Sequence, residues 1–463
     1  LSIRFMALAA AVLSGGHGAA HGAAFQLIEQ NASGLGNAFA GQAAAAEDAS
    51  AIFFNPAGLT HLGGRQVVGA LHLIAPRSRF GDSGSCTAFA GTGVGTASCP
   101  FGAGGNLGHA AGGNGGDAGD LAAVPNVYLS WELLPGRLWA GVGVNAPFGL
   151  KTEWDADWVG RFQAVRSQVK TVNINPTLAW KLDDRISFGG GLNIQRLEAK
   201  LSNAVSYRAV ALASGNAGLI AAVAPGSEGI ADVQGDDWGV GWNVGAMVEL
   251  SESLRLGVSY RSTVRYTLSG DVRFDNRPAA LGAVPNVADG NVKVNVRLPD
   301  TFSIALAHQT TPRLQLLADW TWTGWDSVQT LAIDRTSGPL AGQTLTSLNL
   351  GFGNSWRAGL GANYQLGDAW KLRGGVAYDT TPVRDALRSP RLPDEDRIWL
   401  AVGAQWAFAP NAALDVGVAH IEVRNASSSL PNQETATSAP RGSLVGRYSA
   451  SVNIVGAQVR WNF

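Results

Sequence analysis

Trp238, Val240, Trp242, Val244, Ala246, Val248 and Leu250 occupy every second position of one stretch, and Gly239, Gly241, Asn243, Gly245 and Glu249 fall between them. Such period-two alternation over ten or more residues is the mark of a strand with one apolar and one polar face. The next stretch repeats it. Leu254, Leu256, Val258, Tyr260, Val264, Tyr266 and Leu268 lie on one side, and Arg255, Ser259, Arg261, Thr263, Arg265 and Thr267 on the other. Trp356–Leu366, Trp370–Tyr378 and Ile398–Phe408 follow the same rule. Strands are expected to begin near residues 66, 124, 138, 169, 185, 238, 254, 291, 314, 355, 370, 397, 412 and 447.

The connections alternate in length. Leu134–Arg137, Asp183–Asp184, Ser251–Ser253, Gly367–Ala369 and Ala409–Asn411 are tight, whereas 77–123, 148–167, 202–236, 334–352, 380–396 and 425–446 are long. An even number of alternating strands joined by short turns at one end and long loops at the other is the pattern of a transmembrane β-barrel. A soluble sandwich would also alternate, but it explains neither the strand length nor the aromatic strand ends. The fold class expected is therefore all-β, a transmembrane antiparallel barrel of about fourteen strands at residues 65–463.

Charged residues make up 15% of the 463-residue chain, low for a soluble protein, and no stretch after the N-terminus is apolar enough for a membrane helix. A membrane location therefore requires a barrel. The net charge of −1 gives no electrostatic case for nucleic acid. Arg4, the apolar run Phe5–Leu13 and the small residues through Ala24 read as an export signal, residues 1–22, with Ala20-His21-Gly22 as the cleavage site. Cys86 and Cys99 lie in the first long loop, where an oxidising compartment favours a disulfide. Two cysteines without a histidine pair do not make a metal site, and no cofactor is expected. His308 and His420 lie on the apolar parity with no serine partner, so no catalytic residue is assigned.

In a barrel the apolar face meets lipid and the polar face the lumen. Arg255, Arg261, Arg265, Arg357 and Arg373 are thus expected inside, paired with acids such as Glu249 and Asp379 or with an interior segment. Residues 23–64 break the strand pattern. They are rich in Ala and Gly, with turns expected at Gly34-Leu35-Gly36 and Asn55-Pro56-Ala57-Gly58. Phe25, Leu27, Leu35, Phe39, Ile52, Phe53, Phe54 and Leu59 favour packing inside the barrel over a loose linker. The terminus Val459-x-Trp461-x-Phe463 is similar to the signal read by the barrel assembly machinery, an expected partner.

Several motifs resemble the FadL family of outer-membrane transporters of long-chain fatty acids and aromatic hydrocarbons. They are Ala24-Phe25-Gln26-Leu27, Ser33-Gly34-Leu35-Gly36, Asn55-Pro56-Ala57, Asp237-Trp238-Gly239-Val240-Gly241-Trp242-Asn243, Ser259-Tyr260-Arg261-Ser262 and Leu392-Pro393-Asp394-Glu395-Asp396-Arg397-Ile398-Trp399. They fall in family order along the whole mature chain. The resemblance implies a passive uptake channel in the outer membrane of a Gram-negative bacterium, among lipids and lipopolysaccharide, expected to be a monomer. It implies an N-terminal hatch with Phe25, Leu27, Asn55, Pro56 and Ala57 as its gate residues, a ligand pocket beside it, and lateral release through the barrel wall.

Asn145, Pro147 and Gly149 in the third strand are the expected side exit, because proline and glycine both weaken a ladder. Fatty-acid members of the family meet the carboxylate with basic residues after the fifth strand and before the tenth. Asn203 and Leu348 stand there in this chain. Either Arg208 or Arg335 takes the role, or the ligand is less polar. Long-chain fatty acids rank first and aromatic or alkane hydrocarbons second; a general porin for hydrophilic solutes is the rival from another class.

Overall fold

The computed structural model describes residues 24–88, 107–109, 112–430 and 441–463. The expected signal segment and Cys99 of the expected disulfide lie outside the described residues. Fourteen antiparallel strands form one closed sheet. β1 is Arg65–Asp82, β2 Ala122–Leu134, β3 the two segments Leu138–Asn145 and Gly149–Glu153, and β4 Arg166–Lys181. β5 is Ile186–Ser206, β6 Glu228–Ser251, and β7 Leu254–Arg261 with Val264–Phe274. β8 is Gly290–Leu298 with Thr301–Gln309, β9 Leu314–Thr323 with Thr330–Arg335, and β10 Thr344–Asn349 with Ser355–Leu366. β11 is Trp370–Asp379, β12 Arg397–Ala409, β13 Ala412–Leu430 and β14 Leu444–Asn462.

Each strand pairs with its sequence neighbours, and β14 closes on β1 from Gln66↔Asn462 to Asp82↔Gly446. Closure leaves no edge, which is what a sheet in hydrocarbon requires. Among the described residues, no helix is long and apolar enough to cross a membrane.

Several strands run further out than the alternation suggested. β5 continues to Ser206, β6 begins at Glu228 and β13 reaches Leu430. These outer extensions replace parts of the expected loops 202–236 and 425–446. The connection 275–289, left unassigned by the alternation, holds two short 3-10 turns, Ala279–Leu281 and Pro285–Val287.

The lipid face follows the alternation. Trp238, Val240, Trp242 and Val244 are exposed, as are Leu192, Leu360 and Val402. Aromatic rings gather at two levels. Trp180, Phe188, Trp370, Trp406 and Trp461 sit near the short turns, with Trp370 and Trp406 stacked at 5.9 Å. Trp242 and Tyr260 (5.3 Å), and Trp356 and Tyr378 (5.6 Å), mark the other level. Amphipathic rings favour the two membrane–water boundaries.

Residues 24–62 run inside the barrel and are almost wholly buried. The two expected turns are helical. Asn31 caps Ala32–Leu35 by accepting from Gly34 N at 3.0 Å, and Asn55 caps the 3-10 turn Pro56–His61 by accepting from Ala57 N at 3.1 Å. Proline at the first position suits such a start, because its missing N–H has no partner there in any case. The Asn55 amide also donates to Ala43 O (2.7 Å) and Ala246 O (3.0 Å), locking the turn to β6.

Glycines make room for this close approach. A Cβ on Gly189 would stand 2.5 Å from Ala57 N, and one on Gly375 2.1 Å from Asn37 O. Wall arginines anchor the rest: Arg373 ion-pairs with Glu47 (2.7 Å), Arg357 donates to Ala38 O, and Arg255 donates to Ala44 O and Ala45 O (both 3.3 Å).

Candidate functional site

The site originates in one extra residue. The inner part of β7 pairs with β6 through Arg261↔Asn243, and its outer part through Ser269↔Asp236. Between these pairs β7 places seven residues, 262–268, against the six of β6, 237–242. A single added residue sends every later side chain to the opposite face. Ser262 fastens the bulge: its amide donates to Trp242 O and its hydroxyl accepts from Trp242 N, both at 2.9 Å.

The consequence corrects the sequence reading. Arg265, expected in the lumen, is exposed on the outside. Val264, Tyr266 and Leu268, expected to continue the lipid face, are buried in the interior. β8, β9 and β10 are interrupted at the matching level, at Pro299-Asp300, 324–329 and 350–354. Above the interruption, Val292, Val294, Val296, Leu298, Leu331, Ile333, Leu348 and Leu350 belong to interior apolar clusters or line an interior pocket. Within the membrane the barrel is apolar outside; beyond the outer aromatic level it is apolar inside.

The result is an apolar pocket lined by Leu197, Leu201, Leu268, Val296, Leu331, Leu348, Phe352 and Leu392. Phe25 lines it as well. Its ring meets Trp325 at 4.7 Å and Phe148 at 6.0 Å, and Trp325 meets Phe352 at 5.8 Å. Gln26, Leu27 and Ile28 line a second cavity that is bordered by Ser259, Ser303, Thr321 and Thr323. The chain at 25–28 thus lies between an apolar and a hydroxyl-rich space.

Asp394 of the Leu392–Arg397 motif holds this chain by accepting from Ala24 N at 3.0 Å, and it ion-pairs with Arg397. Ala24, Ala38, Phe39 and Ala46 have φ of 48–57°, a left-handed conformation rarely adopted outside glycine.

The third strand breaks beside Phe25. Asn145 and Gly149 end the two segments of β3, with Pro147 between them. The N-terminal chain supplies part of the missing ladder: Leu27 N donates to Pro147 O (2.8 Å) and Gly149 N to Phe25 O (2.9 Å). On the other side, the pairing of β2 with β3 stops at Val127↔Val144. Beyond that point Asn126 donates to Glu29 O (2.9 Å) and Gln30 to Ala146 O (3.0 Å). In this opening the wall is closed by residues 25–30 rather than by the neighbouring strand.

The four candidate head-group residues separate in the structure. Leu348 lines the pocket. Arg208 does not; it donates to Ile220 O and Val223 O and ties together the helices Tyr207–Ala213 and Ala217–Ala222. Arg335 likewise donates to Ala288 O (2.8 Å) and Asn286 O (3.0 Å) in the 275–289 connection. Asn203 accepts from Arg391 Nη2 at 3.1 Å, and Arg391 lines the pocket.

Arg391 was not singled out by the sequence; it lies in a loop, outside every alternating run. It is buried, donates also to Ser167 Oγ (3.1 Å) and Arg166 O (3.2 Å), and meets no carboxylate among the described residues. Burial, with Arg441 as a cationic neighbour, pushes its pKa down to about 9, so it remains a cation at neutral pH. Glu29 is the acidic counterpart in the N-terminal chain. Both of its oxygens are buried without a hydrogen-bond partner, and burial pushes its pKa up to about 7. No described group of His, Cys, Asp and Glu could hold a metal ion.

Residues 13–463 match the family model described as outer membrane protein transport protein (OMPP1/FadL/TodX). The chain is 28% identical over 414 residues to a long-chain fatty acid transport protein of Escherichia coli O6:H1, covering 86% of each. The structure of a Pseudomonas aeruginosa FadL homologue superposes with a TM-score of 0.82 at 26% identity, over 95% of this chain and 100% of that one. The Pseudomonas putida toluene transporter TodX shares the fold, with a TM-score of 0.61 at 16% identity over 96% and 100%.

Proposed function

The chain belongs to the FadL/TodX family of outer membrane transport proteins, and from that premise we propose that its cargo is a long-chain fatty acid released sideways into the bilayer. As a member of that family it is a transport channel for hydrophobic compounds in the outer membrane of a Gram-negative bacterium, not an enzyme. The observation that carries the finer reading is a buried guanidinium, Arg391, among the residues lining an apolar pocket and with no carboxylate partner among the described residues. An isolated buried charge is costly. A bound carboxylate removes that cost while its alkyl chain occupies the apolar space.

The E. coli relative named for long-chain fatty acids favours the same cargo. The aromatic cluster of Phe25, Phe148, Trp325 and Phe352 favours a second reading, a monoaromatic hydrocarbon. Arg391 has no role in that reading.

The interruption in β3 supports this route. Residues 25–30 act as the hatch edge, and their withdrawal opens the wall at Asn145, Pro147 and Gly149. The left-handed residues Ala24, Ala38, Phe39 and Ala46 flank this segment rather than lie in it; each carries about 1–3 kcal/mol of strain, which favours an N-terminal chain with two arrangements. The main test compares binding of a long-chain acid, the matched alcohol and a simple aromatic hydrocarbon. Preference for the acid supports the proposal; equal or tighter binding of the neutral ligands overturns it. For the route, bulky or disulfide-closing substitutions at Asn145 and Gly149 are expected to stop uptake in a folded barrel, and normal uptake refutes the exit.

A further inference from the structure

The bulge that builds the pocket also turns two arginines outward. Arg265 of β7 and Arg297 of β8 are directly paired across the ladder, and both are exposed. Like charges at opposed positions repel, with Cβ atoms only about 5 Å apart. Neither makes an ion pair with any described residue. The nearby acids are engaged elsewhere. Asp237 accepts from Thr267 N and Trp238 N, both at 2.8 Å, and Asp300 accepts from the Tyr260 hydroxyl at 2.8 Å. The next residues outward on this face, Thr267 and Asn295, hydrogen-bond to one another at 2.9 Å and bring no charge. Lys293, further out, has Asp334 opposite it on β9; the arginine pair has no acid paired with it on its own ladder.

Height fixes what meets this pair. Tyr260 and Phe302 are paired at the outer aromatic level, and Arg265 and Arg297 lie beyond the bulge on the same two strands. At about 3.3 Å per residue and a strand tilt near 40°, the arginines stand about 10 Å further from the bilayer centre. They face outward, away from the ligand pocket. The outer leaflet of this membrane carries phosphorylated glycolipid, and its phosphates lie just beyond the aromatic level.

We propose that Arg265 and Arg297 form a docking site for the phosphate of a lipid A headgroup. One phosphate can accept charge-assisted hydrogen bonds from both guanidiniums at once, which turns a repulsive pair into a bridged one. Free inorganic phosphate offers the same chemistry without the acyl chains. The apolar belt directly below, with Ile304 and Leu306 exposed, gives those chains a surface and favours the lipid.

The test uses the full-length barrel, stripped of lipid in detergent, and compares it with an Arg265→Gln/Arg297→Gln double variant. Bisphosphorylated lipid A is expected to bind the double variant at least about tenfold more weakly. Lipid A with its phosphates removed is expected to bind both proteins equally weakly. Equal binding of phosphorylated lipid A to both proteins overturns the proposal. Displacement of the lipid by submillimolar inorganic phosphate overturns the assignment to a lipid and leaves a free-anion site. A second variant, Arg265→Glu, tests the pair without ligand. Its melting temperature in lipid-free detergent is expected to rise, because opposite charges then face each other, while lipid binding falls. An unchanged or lower melting temperature refutes the uncompensated pair.

Discussion

Replacing Arg391 with methionine removes the only cation among the residues lining the apolar pocket while keeping a long, flexible, apolar-stemmed side chain. A hydrogen bond to a charged group contributes about 1.5–3 kcal/mol. At about 1.4 kcal/mol per tenfold, loss of the Arg391–carboxylate contact weakens acid binding by about 10- to 150-fold. The alkyl chain contributes about 0.8 kcal/mol for each methylene buried, equally for an acid and its alcohol, and cancels from their ratio. The quantity to measure is therefore the ratio of the two dissociation constants, by calorimetry in detergent at pH 7, where the ligand carboxyl is ionised and Arg391 charged. Native protein is expected to prefer the acid, and Arg391→Met to lose that preference with alcohol binding unchanged. Arg208→Met and Arg335→Met are expected to leave the ratio alone, since neither side chain lines the pocket. An acid preference that survives in Arg391→Met, or disappears in Arg208→Met, refutes the reasoning.

Gly375→Val places a branched side chain where a Cβ already stands 2.1 Å from Asn37 O. It is expected to unseat the N-terminal chain and raise ion conductance in planar bilayers; native-like conductance in a folded barrel refutes this. Deleting Ser262 removes the added residue of the bulge and should return Val264, Tyr266 and Leu268 to water, at about 1.5–3 kcal/mol for each side chain. That sum is comparable to a typical net stability, so the deletion is expected to abolish the heat-modifiable folded form on gels, and a stable folded deletion would refute it. Glu29 titrates near 4.5 when unfolded and near 7 in place. The folded state therefore favours the protonated form, and the seating of the chain should be strongest below pH 4.5 and weaken as pH rises through 7. Hydrogen exchange at residues 25–30 is expected to speed up from pH 5 to 8.5 beyond its intrinsic change, but not in Glu29→Gln. Equal pH profiles in the two proteins would contradict this.

The barrel was legible because lipid on one side and a packed lumen on the other impose period two on every strand, and a fixed period can be read without knowing partners. Residues 238–250 are the clearest case, and their exposed Trp238, Val240 and Trp242 follow it. The parity change at Ser262 was not legible. Leu254 to Leu268 looks like one face when Val264 is taken as continuing after Tyr260, because a bulge is defined by the partner strand and leaves only an ambiguous pair of polar residues in its own. Arg391 was hidden for a related reason. Its importance rests on the acids it lacks in space, and neighbouring residues in sequence do not reveal that. Asn203 was marked as a position and meets the pocket's cation through its side chain.

The switch of faces at the outer aromatic level also sets how deep the protein can sit. A uniform apolar cylinder has no preferred height over several ångströms. Here, the first outward side chains past the bulge are Arg265 and Arg297, and the last before it belong to the greasy belt with Trp242 and Tyr260. Sinking the barrel carries guanidiniums toward hydrocarbon, where an arginine costs up to about 2–4 kcal/mol at the midplane and less near the surface. Raising it strips lipid from exposed leucines and tryptophans. The added residue in β7 therefore works as a depth stop, holding the gap in β3 at a constant level relative to the acyl chains that would receive whatever passes through it.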